Sequence, residues 1–145
     1  MLEERNHAKG RAGNSLIEFA FAVPFCVFLF IGAFDMGIYC YALISLQSAV
    51  RTAAVYTSTS STTATDSTTA CRYVLAQLRD LPNVPSTVTT CAASPVTVTA
   101  TQVTGPDSAS AARVTATYNF PALPGIPFLP SRVSVTRNAT MRLQN

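Results

Sequence analysis

Charge is scarce in this chain. Only 12% of its 145 residues are Asp, Glu, Lys or Arg, against 48% that are hydrophobic, so an ordinary water-facing surface cannot run along its whole length and one modest domain is expected. The ten Lys and Arg residues form no cluster and leave a net charge of only +3, which argues against nucleic acid as a partner. There is a single histidine, His7, close to the start. Beyond residue 57 the side-chain carboxylates are Asp66, Asp80 and Asp107. No nucleophile, base and orienting group occur together, and there is no glycine-rich phosphate loop. An enzyme is therefore not expected, nor a catalytic residue or cofactor. No C-x-x-C or Cys/His spacing points to a metal.

What the chain has in excess is one apolar run. Sixteen uncharged residues extend from Phe19 to Phe34, and reaching back to Leu16 makes nineteen with Glu18 as the only charge. At about 1.5 Å per residue this is roughly 28 Å of helix, the thickness of a bilayer core. A soluble domain of this size seldom surrounds a helix that is apolar on every face. Arg5, Lys9 and Arg11 precede the run, and the first basic residue after it is Arg51. The positive-inside bias then places the amino terminus in the cytoplasm and the rest outside. Small-x-small cleavage sites of a secretory signal are poor here, so retention in the membrane is the reading. Met36, Tyr39, Leu43, Leu46 and Val50 follow at helical spacing, which predicts one helix from about Ser15 to Tyr56 whose second half packs on something beyond the membrane. Pro24 should kink or loosen it. Gly32 and Gly37 mark places of close approach, and Asp35 is a solvated interfacial charge.

The stretch from Arg11 to Phe19 sets a polar leader and Gly13 five residues before Glu18 at the mouth of the apolar helix. It resembles the type IV prepilin processing site, and the resemblance implies cleavage between Gly13 and Asn14 by an inner-membrane prepilin peptidase. Glycine suits that position because its backbone stays extended and approaches a protease without a Cβ clash. An ionised Glu18 inside lipid is unfavourable by about a few kcal/mol unless paired. The resemblance supplies a partner, the α-amine of Asn14 on a neighbouring subunit, which would set axial register. The alternative is that Glu18 snorkels to headgroups or water. Glu18-Phe19-Ala20, Pro24, the segment from Ile31 to Gly37, Leu46, Ala49-Val50-Arg51 and Ala53-Ala54 look like the TadE-like pseudopilins of the tight-adherence (Flp, type IVb) pilus system. That resemblance implies that Glu18, Phe19 and Pro24 serve assembly and register. It departs from the usual pattern at Asp35, where glutamate is common, and at the polar Asn14.

The chain thus divides into a cytoplasmic leader (1–13), a transmembrane helix (14–35), a periplasmic extension of the helix (36–56), a Ser/Thr-rich linker (57–69) and a small exported α+β domain (70–145). The linker holds eleven Ser or Thr in thirteen residues, the composition of a solvated loop. A second helix is expected from about Ser67 to Leu81, capped by Asp66 or Ser67 and stopped before Pro82, with Cys71, Val74, Leu75 and Leu78 on its apolar side. Alternation in 96–101, 113–118 and 132–137 predicts three strands of an antiparallel sheet. The expected fold class is α+β and pilin-like. Cys71 and Cys91 would enclose about twenty residues, and in an oxidising periplasm their pairing would stabilise the domain by roughly 3 kcal/mol. Cys26 and Cys40, about 21 Å apart on one helix, cannot bridge each other. The segment 120–130 holds four prolines among apolar residues; it is either folded over the sheet or a contact surface for a neighbour. Asn138-Ala139-Thr140 matches a glycosylation acceptor by chance.

Two functions lead. One is a processed minor pilin-like subunit acting with prepilin peptidase, other pilin-like subunits and pilus assembly machinery at the bacterial inner membrane, in adhesion or biofilm formation. The other is an unprocessed, membrane-tethered periplasmic binding or scaffold protein. A major filament subunit is a third, weaker option, since Flp subunits are usually much shorter.

Overall fold

A computed structural model describes residues 4–121 and 133–144, with side chains in the first helix from Leu16 onward. Most of the proline-rich 120–130 segment and the expected strand residue Arg132 lie outside that range. The chain forms two compact units, Met1–Cys40 and Tyr41–Asn145.

The described part of the first unit belongs to one helix, α1 (Glu4–Thr57), which continues into the second unit. It begins eleven residues before the expected Ser15, because Glu4, Arg5, Ala8, Lys9 and Arg11 favour helix and no proline precedes Pro24. Pro24 lies inside the continuous helix. From Leu16 on, the apolar side chains of this unit face outward. Phe21 is 78% exposed and Phe30 73%. A Cβ placed on Gly32 or Gly37 would meet nothing within 4 Å, so no close approach occurs there among the described residues. The span Leu16–Thr57 is long and apolar enough to cross a membrane.

In the second unit α1 changes character. Ala42, Leu46, Ala49, Val50, Ala53, Ala54 and Thr57 are all buried, and their three- and four-residue spacing draws one stripe along the helix. Of the expected apolar face only Leu46 and Val50 belong to it, while Met36 is 62% exposed. The reason is size: four alanines of the stripe carry little hydropathy signal, yet they let a helix approach its neighbours closely.

The sheet has four strands, not the three expected: β1 (Ala92–Ala93), β2 (Val96–Thr104), β3 (Ser110–Asn119) and β4 (Ser134–Arg142), in the order β1-β2-β3-β4. All neighbours are antiparallel. β1 escaped notice because two residues are too few to display a period. β4 runs past the expected Arg137 because its register against β3 continues through the polar Asn138 and Thr140 to Arg142. Inward side chains of β2 and β3 pair large against small, Val98 with Ala116 and Ala100 with Val114, which is how facing positions fill without voids. At the β2–β3 turn a Cβ on Gly105 would come within 2.8 Å of Asp107 Oδ1 and 3.3 Å of Ala109 C=O, so a larger residue there would displace the Asp107 side chain.

Helix α2 (Ser67–Leu78) buries Ala70, Cys71, Val74, Leu75 and Leu78. It ends three residues earlier than expected, at a turn in which the Leu81 N–H donates to Leu78 C=O at 3.0 Å, so that Leu81 folds back into the core. The Ser/Thr-rich segment before it is hydrogen-bonded rather than a loose linker. Ser58 Oγ donates to Val55 C=O at 2.8 Å and Thr63 Oγ1 accepts from the Ser60 N–H at 3.0 Å. A 3-10 turn follows at Thr63–Thr65 and Ala64 is fully buried. Short hydroxyl side chains bond to nearby backbone as readily as to water, which a composition count does not reveal.

Candidate assembly segment and its supporting domain

Gly13 and Asn14 lie within the helical backbone of α1, and the Asn14 side chain is outside the described residues. Glu18 is exposed, as are Leu16, Ile17, Phe19 and Pro24 around it. Among the described residues Glu18 forms no ion pair. An exposed carboxylate ringed by Leu16, Ile17 and Phe19 is costly in lipid unless something outside the chain neutralises it. The arrangement presents one charge and a set of large apolar groups.

In the second unit the structure brings together Cys71 and Cys91, whose sulfurs form a disulfide between α2 and the segment leading into β1. Cys26 and Cys40 are free and exposed on α1. Asp66, one of the two expected caps, accepts the Thr69 N–H at 3.0 Å. That backbone bond, with further bonds from Thr69, Thr68 and the Tyr56 hydroxyl, holds its carboxyl below the usual value of 3.8. Tyr56 and Tyr73 join the two helices through rings 5.2 Å apart, and Gln77 Nε2 donates to Thr52 Oγ1 at 2.8 Å.

Sequence reasoning passed over Tyr118. Its side chain is fully buried at the end of β3, with the hydroxyl 2.7 Å from Pro82 C=O and 2.8 Å from Asn83 Oδ1. Asn83 adopts a left-handed φ of 62° and donates through Nδ2 to Asn119 C=O at 3.0 Å. Phe120 packs edge-on at 4.8 Å between ring centroids. Burial pushes the Tyr118 hydroxyl up to about 12. The available signal was a Pro-Asn turn followed, far along the chain, by a tyrosine on the inward phase of a strand.

A groove of about 500 Å³ on α2 is lined by Arg72, Tyr73 and Arg79 with Thr69, Ser86 and Thr89. It contains hydroxyls and guanidinium groups without a carboxylate or imidazole, which gives no acid and base pair.

These features define a class: an α+β protein carried on a long apolar amino-terminal helix suited to membrane anchoring, with a disulfide-closed domain. Residues 13–55 match the family model described as TadE-like protein. The match begins at Gly13, contains Glu18, Phe19 and Pro24, and ends in the buried part of α1. The resemblance to TadE-like proteins of the Tad/Flp pilus system therefore holds over this segment. No curated protein and no solved structure gives a significant match.

Proposed function

We propose that this chain is a minor pilin-like subunit of a Tad pilus system, anchored in the bacterial inner membrane with its domain outside, cut between Gly13 and Asn14 by a prepilin peptidase and then assembled with other pilin-like subunits. In this role it is a structural part and not a catalyst, and adhesion or biofilm formation is the output of the assembly it joins. The observation that carries the reading is the TadE-like match starting at Gly13 and enclosing an exposed Glu18, without an ion pair among the described residues, at the mouth of an apolar helix.

Once the leader is removed, the α-amine of Asn14 supplies the cation that Glu18 of a neighbouring subunit lacks. Their pairing sets axial register between helices, and Phe19, Phe21 and Phe28 contribute apolar contact along the same helix. The helical backbone through Gly13 favours the alternative of an unprocessed tether, because a peptidase needs an extended bond. Gly10 and Gly13, however, each weaken a helix by about 1 kcal/mol relative to alanine, so unwinding that stretch is cheap.

The test is a Glu18→Leu variant produced beside the complete Tad machinery. The account expects removal of the leader to persist while recovery of other pilin-like subunits with the variant falls sharply. Undiminished recovery would sink the pairing role.

A further inference from the structure

The β4 edge of the sheet, beside which no further strand lies among the described residues, has a self-complementary pattern. The Leu143 N–H donates to Ser110 C=O and the Phe120 N–H to Val133 C=O, so the odd-numbered residues of β4 turn their backbone groups toward β3. The even-numbered residues Ser134, Thr136, Asn138, Thr140 and Arg142 therefore direct theirs outward. The next even residue, Gln144, is satisfied by the Ser58 C=O at 2.9 Å. Those five have no backbone partner among the described residues, and the Thr136 C=O accepts a side-chain bond from Arg137 Nη1 at 3.3 Å. The opposite edge is different: on β2 the outward Val98 N–H is taken by Cys91 C=O at 3.0 Å and the Ala100 N–H by Ser67 Oγ at 2.9 Å. The first part of β2 is covered by the chain itself, whereas β4 is a nine-residue strand without a proline.

We propose that β4 pairs antiparallel with β4 of a second copy, centred on Asn138. The outward groups permit only registers that match even residues with even ones. In the register centred on Asn138, Thr136 faces Thr140 of the second copy, Ser134 faces Arg142, and Arg137 faces Ala139. All five outward residues are used, giving about ten backbone hydrogen bonds at two per bonded pair. Centring on Arg137 instead sets two guanidinium groups opposite each other, an unfavourable cross-strand pair. Centring on Ala139 leaves Ser134 unmatched.

Side chains agree with the chosen register. On the solvent face it aligns Thr136 with Thr140 and the two Asn138 amides, which are hydrogen-bonding pairs. On the other face Val135, 7% exposed, meets Met141 of the second copy. Arg137 there lines a groove of about 540 Å³ with Leu43 and Ile44, and Ile44 is 70% exposed. Ala139 and Met141 of the second copy enter on this side and extend its apolar cover.

The test uses the full chain in detergent micelles with Cys26→Ala and Cys40→Ala and the native disulfide intact. Bonded antiparallel partners have Cα atoms about 5.5 Å apart, within the reach of a disulfide. Asn138→Cys is expected to oxidise to a covalent dimer as the main species. Thr136→Cys and Thr140→Cys are each expected to stay monomeric alone and to cross-link when mixed. Asn138→Pro removes an outward N–H that β3 does not use and is expected to abolish association while the domain stays folded. No dimer at position 138, or equal cross-linking of Thr136→Cys with itself, would overturn the proposal.

Discussion

Residues 16–40 and 41–57 belong to one helix, yet they are built on opposite plans. In the first stretch Phe19, Phe21, Phe25, Phe28 and Phe30 are all exposed; in the second, Ala42, Ala49, Ala53 and Ala54 are all buried. Bulky apolar groups on every face suit a helix that will be surrounded by lipid or by other helices. Small groups on one stripe suit a helix covered by its own domain, where close packing and not bulk provides the stabilisation. Continuous helical backbone therefore hides a change in packing plan, and burial locates it near Tyr41, where the second compact unit begins.

The comparison is broken most strongly at Leu46, which is fully buried. Leu46→Ala is expected to destabilise the domain by about 2–5 kcal/mol, whereas Phe28→Ala, at a position 63% exposed, should leave domain stability within about 0.5 kcal/mol. Denaturant unfolding of both variants in the same detergent checks this. Equal losses would mean that the two stretches are not built differently.

Next in size is the disulfide. Replacing Cys71 and Cys91 with serine opens a closure of 20 residues in separation and should cost about 3 kcal/mol. The loss should appear as an earlier unfolding midpoint and be reproduced by reductant on the unsubstituted chain. Replacing Cys26 and Cys40, which are free and exposed, should change neither.

Tyr118 sharpens the comparison through pH. Its hydroxyl is raised from 10.0 to about 12 in the folded state, so folding favours the neutral form. That contribution is complete below the unfolded value and is lost as pH rises from 10 to about 12. Tyr118→Phe should cost about 1–3 kcal/mol, because the Asn83 turn loses its bonded partner, and should remove this alkaline loss. Stability of the two proteins measured across that window decides it.

The smallest effect is expected at Asp66, whose carboxyl is held below 3.8 by the Thr69 N–H. A lowered folded value means the contribution is present above the unfolded pKa and disappears as pH falls through the folded one. Asp66→Asn should weaken that acid dependence and leave alkaline behaviour unchanged, as acid unfolding curves would show.

How much was legible in the sequence follows the same division. The apolar run, the α2 face with Val74 and Leu78, and the phases of β2 and β3 were readable because burial imposes a period on side-chain type. The alanine stripe of α1 was not, since alanine is common on any helix. β1 was too short, and the folding of residues 57–66 depends on individual hydroxyl bonds such as Ser58 to Val55. At the candidate site, Gly13 and Glu18 were visible as a spacing. The open edge of β4 required knowing which backbone groups β3 already used.

The central claim rests on the amino terminus, and one measurement tests it most directly: the intact mass and first residue of the chain produced with and without a matching prepilin peptidase. The account predicts a new terminus at Asn14 that appears only with the peptidase. Retention of Met1 in both conditions would contradict it and leave a tethered periplasmic domain.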